Sequence, residues 1–176
     1  MKLVLLSLFF TLSASTSLFA QTVDDLTFIT EEYPPFNFAV DGEEQGIATD
    51  VLLEMVKLVG AHQTREDIGS LQWARGYNAA LKIKDVLLFS TTRTVAREKL
   101  FKWVGPIIRS EIVLFARKDR HLSLNSLDEI NLKKLRVGVV LNDVGEQTLL
   151  ELGVKRKQIY RYNKGIHLAE MLQGGR

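Results

Sequence analysis

The apolar run Val86 to Phe89 ends abruptly in a cluster of hydroxyls, Ser90, Thr91, Thr92 and Thr94, and this junction constrains the fold more than any other stretch. Four consecutive apolar residues are short for a helix and fit a strand buried on both faces. The hydroxyls that follow are then delivered to the carboxyl end of a sheet, where open α/β sheets bind ligands. Arg97 comes next, followed by an aromatic segment, Phe101 to Trp103, closed by Gly105-Pro106. A guanidinium is a planar fork that matches a carboxylate with two parallel hydrogen bonds. Hydroxyls donate to a carboxylate or accept from an ammonium. The junction therefore reads as a site for something small, zwitterionic or anionic.

The remaining elements follow the same grammar. Leu26 to Thr30 reads as a first strand, with Glu31-Glu32-Tyr33-Pro34-Pro35-Phe36 as the loop above it, since two prolines exclude helix there. Asn37–Val40 and Gln45–Ala48 flank Asp41-Gly42 as a hairpin, the gap predicting a loop longer than the tightest type. Thr49 is the expected N-cap of a helix over 50–59 that Gly60 ends. Residues 61–70 are polar, although a strand is expected between two helices. Trp73–Lys82 is the second helix, and Val95–Leu100 a short helix capped by Thr94.

After Arg109 the alternation restarts. Glu111–Ala116 reads as a strand, Ser126-Leu127-Asp128-Glu129 as a capping box, and Arg136–Leu141 as a buried strand. That strand leads through Asn142-Asp143-Val144-Gly145 into a helix ending at Gly153. Ile159–Tyr162 and Gly165–Leu172 are a last strand and helix. Strand and helix alternate throughout, so the class is α/β with largely parallel sheets.

Composition removes several function classes. The chain has 176 residues, 46% of them hydrophobic, and no cysteine, which allows real cores and excludes a disulfide scaffold or a thiol nucleophile. Residues 1–20 join Lys2 to an apolar segment and a Ser/Thr/Ala-rich stretch ending at Ala20, the pattern of a secretory signal peptide. An uncleaved anchor is the other reading, but the apolar segment is short for a bilayer. Residues 21–109 carry 10 Lys/Arg against 13 Asp/Glu, and 110–176 carry 12 against 8. The basic clusters Lys133-Lys134-Leu135-Arg136 and Lys155-Arg156-Lys157 lack interleaved aromatics and read as solvated faces, so no nucleic-acid partner is expected. His62, His121 and His167 match no ligand spacing, and no nucleotide or nucleophile-elbow motif is present, so neither metal nor cofactor is expected.

With these residues in view, the chain resembles the family 3 periplasmic solute-binding proteins, receptors of polar amino-acid ABC importers. The resemblance runs from about Leu26 to the last residue. It rests on Ser90-x-Thr92-x-Thr94-x-x-Arg97, Phe101-x-Trp103-x-Gly105-Pro106, Trp73-Ala-Arg75-Gly-Tyr77, the Tyr33-Pro-Pro-Phe36 loop, and Gly46 followed by Asp50. It implies a two-lobed, hinged type II binding-protein fold that closes on its ligand, with lobe 1 over 21–109 and a partial lobe 2 over 110–176. It implies that Arg97 pairs with a ligand carboxylate, that Ser90 and Thr92 bond its charged head, and that Tyr33 and Trp73 form aromatic walls. It also implies a monomer that hands its solute to an ABC permease in the inner membrane.

Two departures stand out. At the lobe 2 helix N-terminus the family usually presents threonines, whereas Asn142-Asp143-Val144-Gly145 offers Asp143, which would repel a carboxylate. The sequence also ends at Met171-Leu-Gln-Gly-Gly-Arg176 where relatives continue, so the second lobe and return segment are expected to be incomplete, the other reading being a complete reduced form.

From spacing alone, Arg97 reads equally well as a surface cation paired with Glu98. Tyr33 reads equally as loop packing, Phe101 and Trp103 as core or hinge packing, Arg75 and Arg93 as solvent-facing, and Glu31 and Glu32 as solvated charges. The resemblance tips Arg97 and Tyr33 toward the ligand. The leading expectation is a non-enzymatic receptor for a small polar solute, an amino acid or related carboxylate. The alternatives are an exported lyase or cell-wall enzyme using Glu31 or Glu32 as a proton-transfer group, a sensory input module, or a non-functional remnant.

Overall fold

In the computed structural model, which describes residues 22–175, the strand ending at Thr30 sits at the centre of a sheet. This strand, β1 (Thr27–Thr30), is flanked on both sides by parallel partners. Phe28 pairs with Ile68 of β4 (Ile68–Ser70) and with Leu87 of β5 (Val86–Leu88). The expected strand between the helices is therefore present, inside the polar stretch. A single-turn 3-10 helix, Arg65–Asp67, is closed by Thr64 and Asp67 bonding each other's backbone and side chains, and it aims Ile68 into the core.

Between β1 and β4 the chain makes a hairpin, β2 (Phe38–Val40) and β3 (Glu43–Gln45), then helix α1 (Ile47–Leu58). Val40 pairs with Glu43, so the loop is only Asp41-Gly42, the tightest type, and both residues take positive φ, 52° and 89°. The second hairpin strand starts two residues earlier than its apolar pattern indicates. The cap of α1 is Gly46 rather than Thr49. Gly46 has φ of 115°, and a Cβ there would meet the Phe36 carbonyl oxygen at 2.4 Å, so only glycine lets the helix start so close to the loop. Thr49 lies inside the first turn, its hydroxyl donating to the Gln45 carbonyl at 3.2 Å. The apolar face of α1 (Ala48, Leu52, Leu53, Val56) closes on Phe28, Ile68 and Phe89. Burying each large side chain of that cluster contributes about 1.5–3 kcal/mol.

Helix α2 (Trp73–Lys82) follows β4 and precedes β5. Residues 95–100, expected as a helix, form turns instead. Three backbone bonds of the tighter i to i+3 kind, Arg97 to Thr94, Glu98 to Val95 and Leu100 to Arg97, are made there, and Val95 is 97% exposed. A turn whose only buried side chain is the polar Arg97 lacks the apolar face whose packing sustains a helix.

The second sheet is smaller. Strand β6 (Val137–Val140) pairs in parallel with β7 (Ile159–Tyr162), and α3 (Asp128–Leu132), α4 (Val144–Glu151) and α5 (Gly165–Gln173) accompany it. Its core is Ile130, Val139, Leu149, Val154 and Ile159. The capping box expected at Ser126–Glu129 does not form: α3 starts at the Leu127 cap with no side-chain cap bond, and Glu129 accepts from the Asn125 N–H instead. Each sheet owns a core, and the whole is a two-lobed α/β fold with parallel sheets.

Glu111–Ala116, expected as a strand, forms no ladder among the described residues. Ile112, Val113, Leu114 and Phe115 stay 48–80% exposed. A β-rich run becomes a strand only through a partner, and no described strand pairs with it. The signal peptide expected over 1–20 lies outside the described residues.

Candidate functional site

Two strand ends face each other. At the end of β5, Phe89 is buried and Ser90 turns the chain with φ of 58°. At the end of β6, Asn142 does the same with φ of 60°. Left-handed backbone outside glycine costs about 1–2 kcal/mol, and both bends direct the following polar residues toward the gap between the sheets.

Behind Ser90, the turn is fastened by Thr94, whose carbonyl and hydroxyl oxygens accept from the Arg97 backbone N–H at 3.1 and 3.2 Å. This sends the Arg97 side chain inward, where it is 1% exposed. Its guanidinium lies 5.2 Å from the Trp73 ring and 4.9 Å from the Tyr77 ring. Those two rings are four residues apart on α2, hence on one face. The guanidinium donates to the Thr92 carbonyl at 3.3 Å, the Asn142 carbonyl at 3.4 Å and Gln147 Oε1 at 2.9 Å. Glu98 is paired with Arg93 instead, at 2.6 Å, so the surface-cation reading of Arg97 does not hold.

On the opposite side, Glu146 pins the Asn142 loop. Its carboxylate accepts from the Asn142 N–H at 2.8 Å and from Arg161 Nε. Asp143 caps α4, its Oδ1 accepting from the Val144 N–H at 2.5 Å. The Asn142 carbonyl is left to accept from three donors: Trp73 Nε1 at 2.9 Å, Arg97 Nη2 at 3.4 Å and Gln147 Nε2 at 3.4 Å. One carbonyl thus ties both sides together.

Between the two strand ends lies a cleft of about 300 Å³. Tyr33, Trp73, Ser90 and Thr92, four of the five expected site residues, line it together with Glu31 and Asp143. Arg97, the fifth, stands behind that wall. Tyr33 is half-exposed at the rim and stacks on Phe36 with ring centroids 5.4 Å apart. Trp73 is buried, and beyond it Tyr77, Phe101 and Trp103 continue an aromatic chain with centroids 5.3–5.6 Å apart. Ser90 Oγ is buried and has no hydrogen-bond partner among the described residues. A wider surface hollow of about 510 Å³ lies beside α1 between Asp50 and Arg65. It carries an exposed ion pair and none of the aromatic or hydroxyl residues of the cleft.

The cleft alters its acids. Burial, then repulsion from Asp143, pushes the Glu31 carboxyl up to about 7, with Arg97 pulling the other way. Burial also raises Asp143, against the Val144 N–H and Arg97. Burial pulls Arg97 down from its usual value, an effect that Tyr77, Asp143 and Glu31 oppose, and a guanidinium so surrounded remains charged. The adjacent acids Glu31 and Glu32 both line the cleft, Glu32 exposed and Glu31 partly buried. Tyr77 and Gln147 were missed by the sequence reading. Each carries a signal, lying four residues beyond Trp73 and Asp143 respectively.

No family model matches the sequence, and no curated protein matches it. Among solved structures the chain is similar to an ancestral arginine-binding protein bound to arginine, with a TM-score of 0.63, 19% identity, and coverage of 88% of this chain and 68% of that one. It is similar to an ancestral amino acid-binding protein that is a precursor of cyclohexadienyl dehydratase, with a TM-score of 0.68, 20% identity, and coverage of 86% and 66%. It is also similar to the arginine-, lysine-, histidine-binding protein from the thermophilic bacterium Geobacillus stearothermophilus, with a TM-score of 0.64, 15% identity, and coverage of 85% and 63%. The chain spans about two thirds of the length of these proteins. What they share with it is the two-lobed amino-acid-binding fold.

Proposed function

We propose that this chain is a solute-binding protein of the family 3 type, capturing a small polar solute in the cleft between its two strand ends. The observation that carries this reading is the meeting of a buried, unpartnered Ser90 hydroxyl with the Tyr33 and Trp73 rings in one gap between two separately cored sheets. A buried hydroxyl without a partner costs free energy unless a ligand group supplies one. Ser90 and Thr92 hold the polar head of the solute, an amino acid or related carboxylate, and Tyr33 and Trp73 cover its flanks. Arg97 reaches a ligand carboxylate when Gln147 and the Asn142 carbonyl release it.

The boundary between lobes falls near Arg109, and closure of one lobe on the other is driven by the ligand's preference for the closed form. The protein works as a monomer in the periplasm and delivers its solute to an ABC importer. No bond is made or broken. The similarity to amino-acid-binding proteins supports the reading. A lyase-type reading would instead use Glu31 for proton transfer, and turnover of a substrate abolished by Glu31→Gln would establish it in place of capture.

The test is a thermal-shift screen of the full chain against amino acids and small carboxylates. A ligand at a hundred times its dissociation constant adds about 2.7 kcal/mol to stability. A cooperative melt raised by one solute class is the expected result. A cooperative melt indifferent to every one of them would sink the reading.

A further inference from the structure

The end of the second sheet away from the cleft gathers positive charge. Lys133, Lys134 and Arg136 precede β6, and Lys155, Arg156 and Lys157 precede β7. Because the two strands run in parallel, with Val137 opposite Ile159, both basic runs emerge side by side at one end of the sheet. Three hydrogen bonds lock the runs together. Asn131 Nδ2 donates to the Gly153 carbonyl at 3.0 Å, Asn131 Oδ1 accepts from the Lys155 N–H at 2.9 Å, and Gln158 Nε2 donates to the Leu135 carbonyl at 2.8 Å. All six cations are exposed, and residues 131–136 and 152–158 hold no acid. Lys133 pairs with Glu129, and Arg136 lies over the Tyr160 ring at 4.6 Å. Lys134, Lys155, Arg156 and Lys157 make no ion pair among the described residues. Two leucines stand out among these charges. Leu132, 78% exposed, directly precedes Lys133, and Leu152, 54% exposed, precedes the Gly153 that Asn131 binds.

We propose that this face docks on an anionic lipid bilayer, a role that goes beyond solute capture and does not depend on it. The cations meet the lipid phosphates, and Leu132 and Leu152 enter the headgroup layer. Like charges crowded on neighbouring loops repel one another, and a negatively charged surface turns that repulsion into attraction. A cluster of this size with apolar side chains among it has the two terms that bind such surfaces, electrostatic attraction and buried apolar area. A nucleic acid would meet the same cations but has no use for exposed leucines, and Tyr160 lies under Arg136 rather than open to a base. Helix α4 fixes the orientation. It starts at Val144 on the cleft wall and ends at Glu151, beside this face. The cleft therefore stays open to solution while the basic end rests on the membrane.

The experiment sediments the full chain with vesicles of phosphatidylcholine alone and with vesicles containing about 30% phosphatidylglycerol. The readout is the ratio of anionic to neutral binding, which cancels any apolar insertion common to both vesicles. A ratio of at least about tenfold is expected, since each lysine or arginine at such a surface contributes roughly fivefold. Raising salt from about 50 to about 300 mM should cut it severalfold. In the quadruple variant Lys134→Gln, Lys155→Gln, Arg156→Gln, Lys157→Gln the ratio should fall below about twofold, and a thermal melt shows that the variant folds. A matched control removes four exposed lysines of the first lobe, Lys82, Lys84, Lys99 and Lys102, and should keep the ratio. The double variant Leu132→Ser, Leu152→Ser should bind anionic vesicles severalfold more weakly. Equal binding to both vesicles overturns the proposal, as does an unchanged ratio in the quadruple variant. A control variant that loses as much also overturns it, because net charge rather than this face would then be acting. Retention on immobilised polyglutamate without sedimentation on anionic vesicles assigns the face to an acidic protein and overturns the lipid assignment.

Discussion

The two strand ends that form the cleft use the same backbone device and reach opposite outcomes. After β5, the left-handed residue is Ser90, and its side-chain oxygen is buried with no partner. After β6, the left-handed residue is Asn142, and its carbonyl oxygen is shared by Trp73, Arg97 and Gln147. One end is under-satisfied and the other is crowded with donors. Unsatisfied polar groups are costly within a protein and useful toward a ligand. On the proposed solute-binding reading, the Ser90 end serves recognition and the Asn142 end holds the two sheets in register. Sheet size agrees with this division. The Ser90 end is backed by three strands and the core around Phe28, while the Asn142 end rests on two strands and depends on contacts made across the gap.

Arg97→Ala tests the division most severely. It removes three hydrogen bonds and two cation–ring contacts, and leaves Gln147 Oε1 and the Thr92 carbonyl without their donor. We expect a stability loss of about 2–4 kcal/mol in denaturant melts, the range for breaking a buried hydrogen-bonded network, together with loss of specific solute binding. An unchanged melt would mean that Arg97 does not tie the sheets together. Unchanged affinity would mean that it does not serve the ligand.

Glu31→Gln is the next largest. The folded-state carboxyl is raised from 4.5 to about 7, chiefly by burial and then by Asp143. A raised acid favours the protonated fold, so its contribution is complete below about pH 4.5 and is lost as pH rises through about 7. Asp143 shifts in the same direction, Arg97 opposes both, and Glu32 and Glu111 share the cleft. Stability should therefore fall between pH 5 and 8 by on the order of 1–3 kcal/mol from Glu31. The acids lowered by exposed partners, such as Asp24, Asp67 and Glu98, act in the opposite sense at more acid pH. In Glu31→Gln the melting temperature should be flatter over pH 5–8 and higher than the parent's at pH 8. A parent whose melting temperature rises across that window would refute the placement of Glu31.

Much of this arrangement was legible in the sequence, for identifiable reasons. The strands at 86–88 and 137–140 are apolar runs, those at 27–30 and 159–162 short β-rich segments that put Phe28, Ile29 and Ile159 into the cores, and that signal survives folding because the sheets carry the cores. Trp73–Lys82 was readable to the residue. The cap of α1 was not, because what selects Gly46 is the Phe36 carbonyl, a contact between segments ten residues apart. The helix at 95–100 and the strand at 111–116 follow from local propensity, but the first has no buried apolar face and the second no paired strand among the described residues. Ser90 and Thr92 came from the pattern, Tyr33 and Trp73 from the family resemblance, and all four line one cleft. The Asn142 carbonyl was invisible, since a backbone oxygen has no residue identity and any amino acid supplies one.

The two smallest changes separate the strand ends most cleanly. Trp73→Phe keeps an aromatic ring beside Arg97 and removes the indole N–H that donates to Asn142 at 2.9 Å. It should cost about 0.5–1.5 kcal/mol of stability, the net worth of one hydrogen bond, with a modest loss of affinity. Ser90→Ala removes a hydroxyl that makes no hydrogen bond among the described residues. Alanine takes the left-handed backbone at much the same cost as serine, so the melting curve should move by less than about 0.5 kcal/mol, or rise slightly, since an unpaired polar group leaves the interior. Solute affinity should nevertheless fall severalfold, because the hydroxyl completes its bonding only when a ligand is present. Calorimetric titration and thermal melts on the same two samples decide between the ends. If Ser90→Ala destabilised the fold as much as Trp73→Phe without weakening binding, the hydroxyl would be a structural group, and the contrast between the two strand ends would fail.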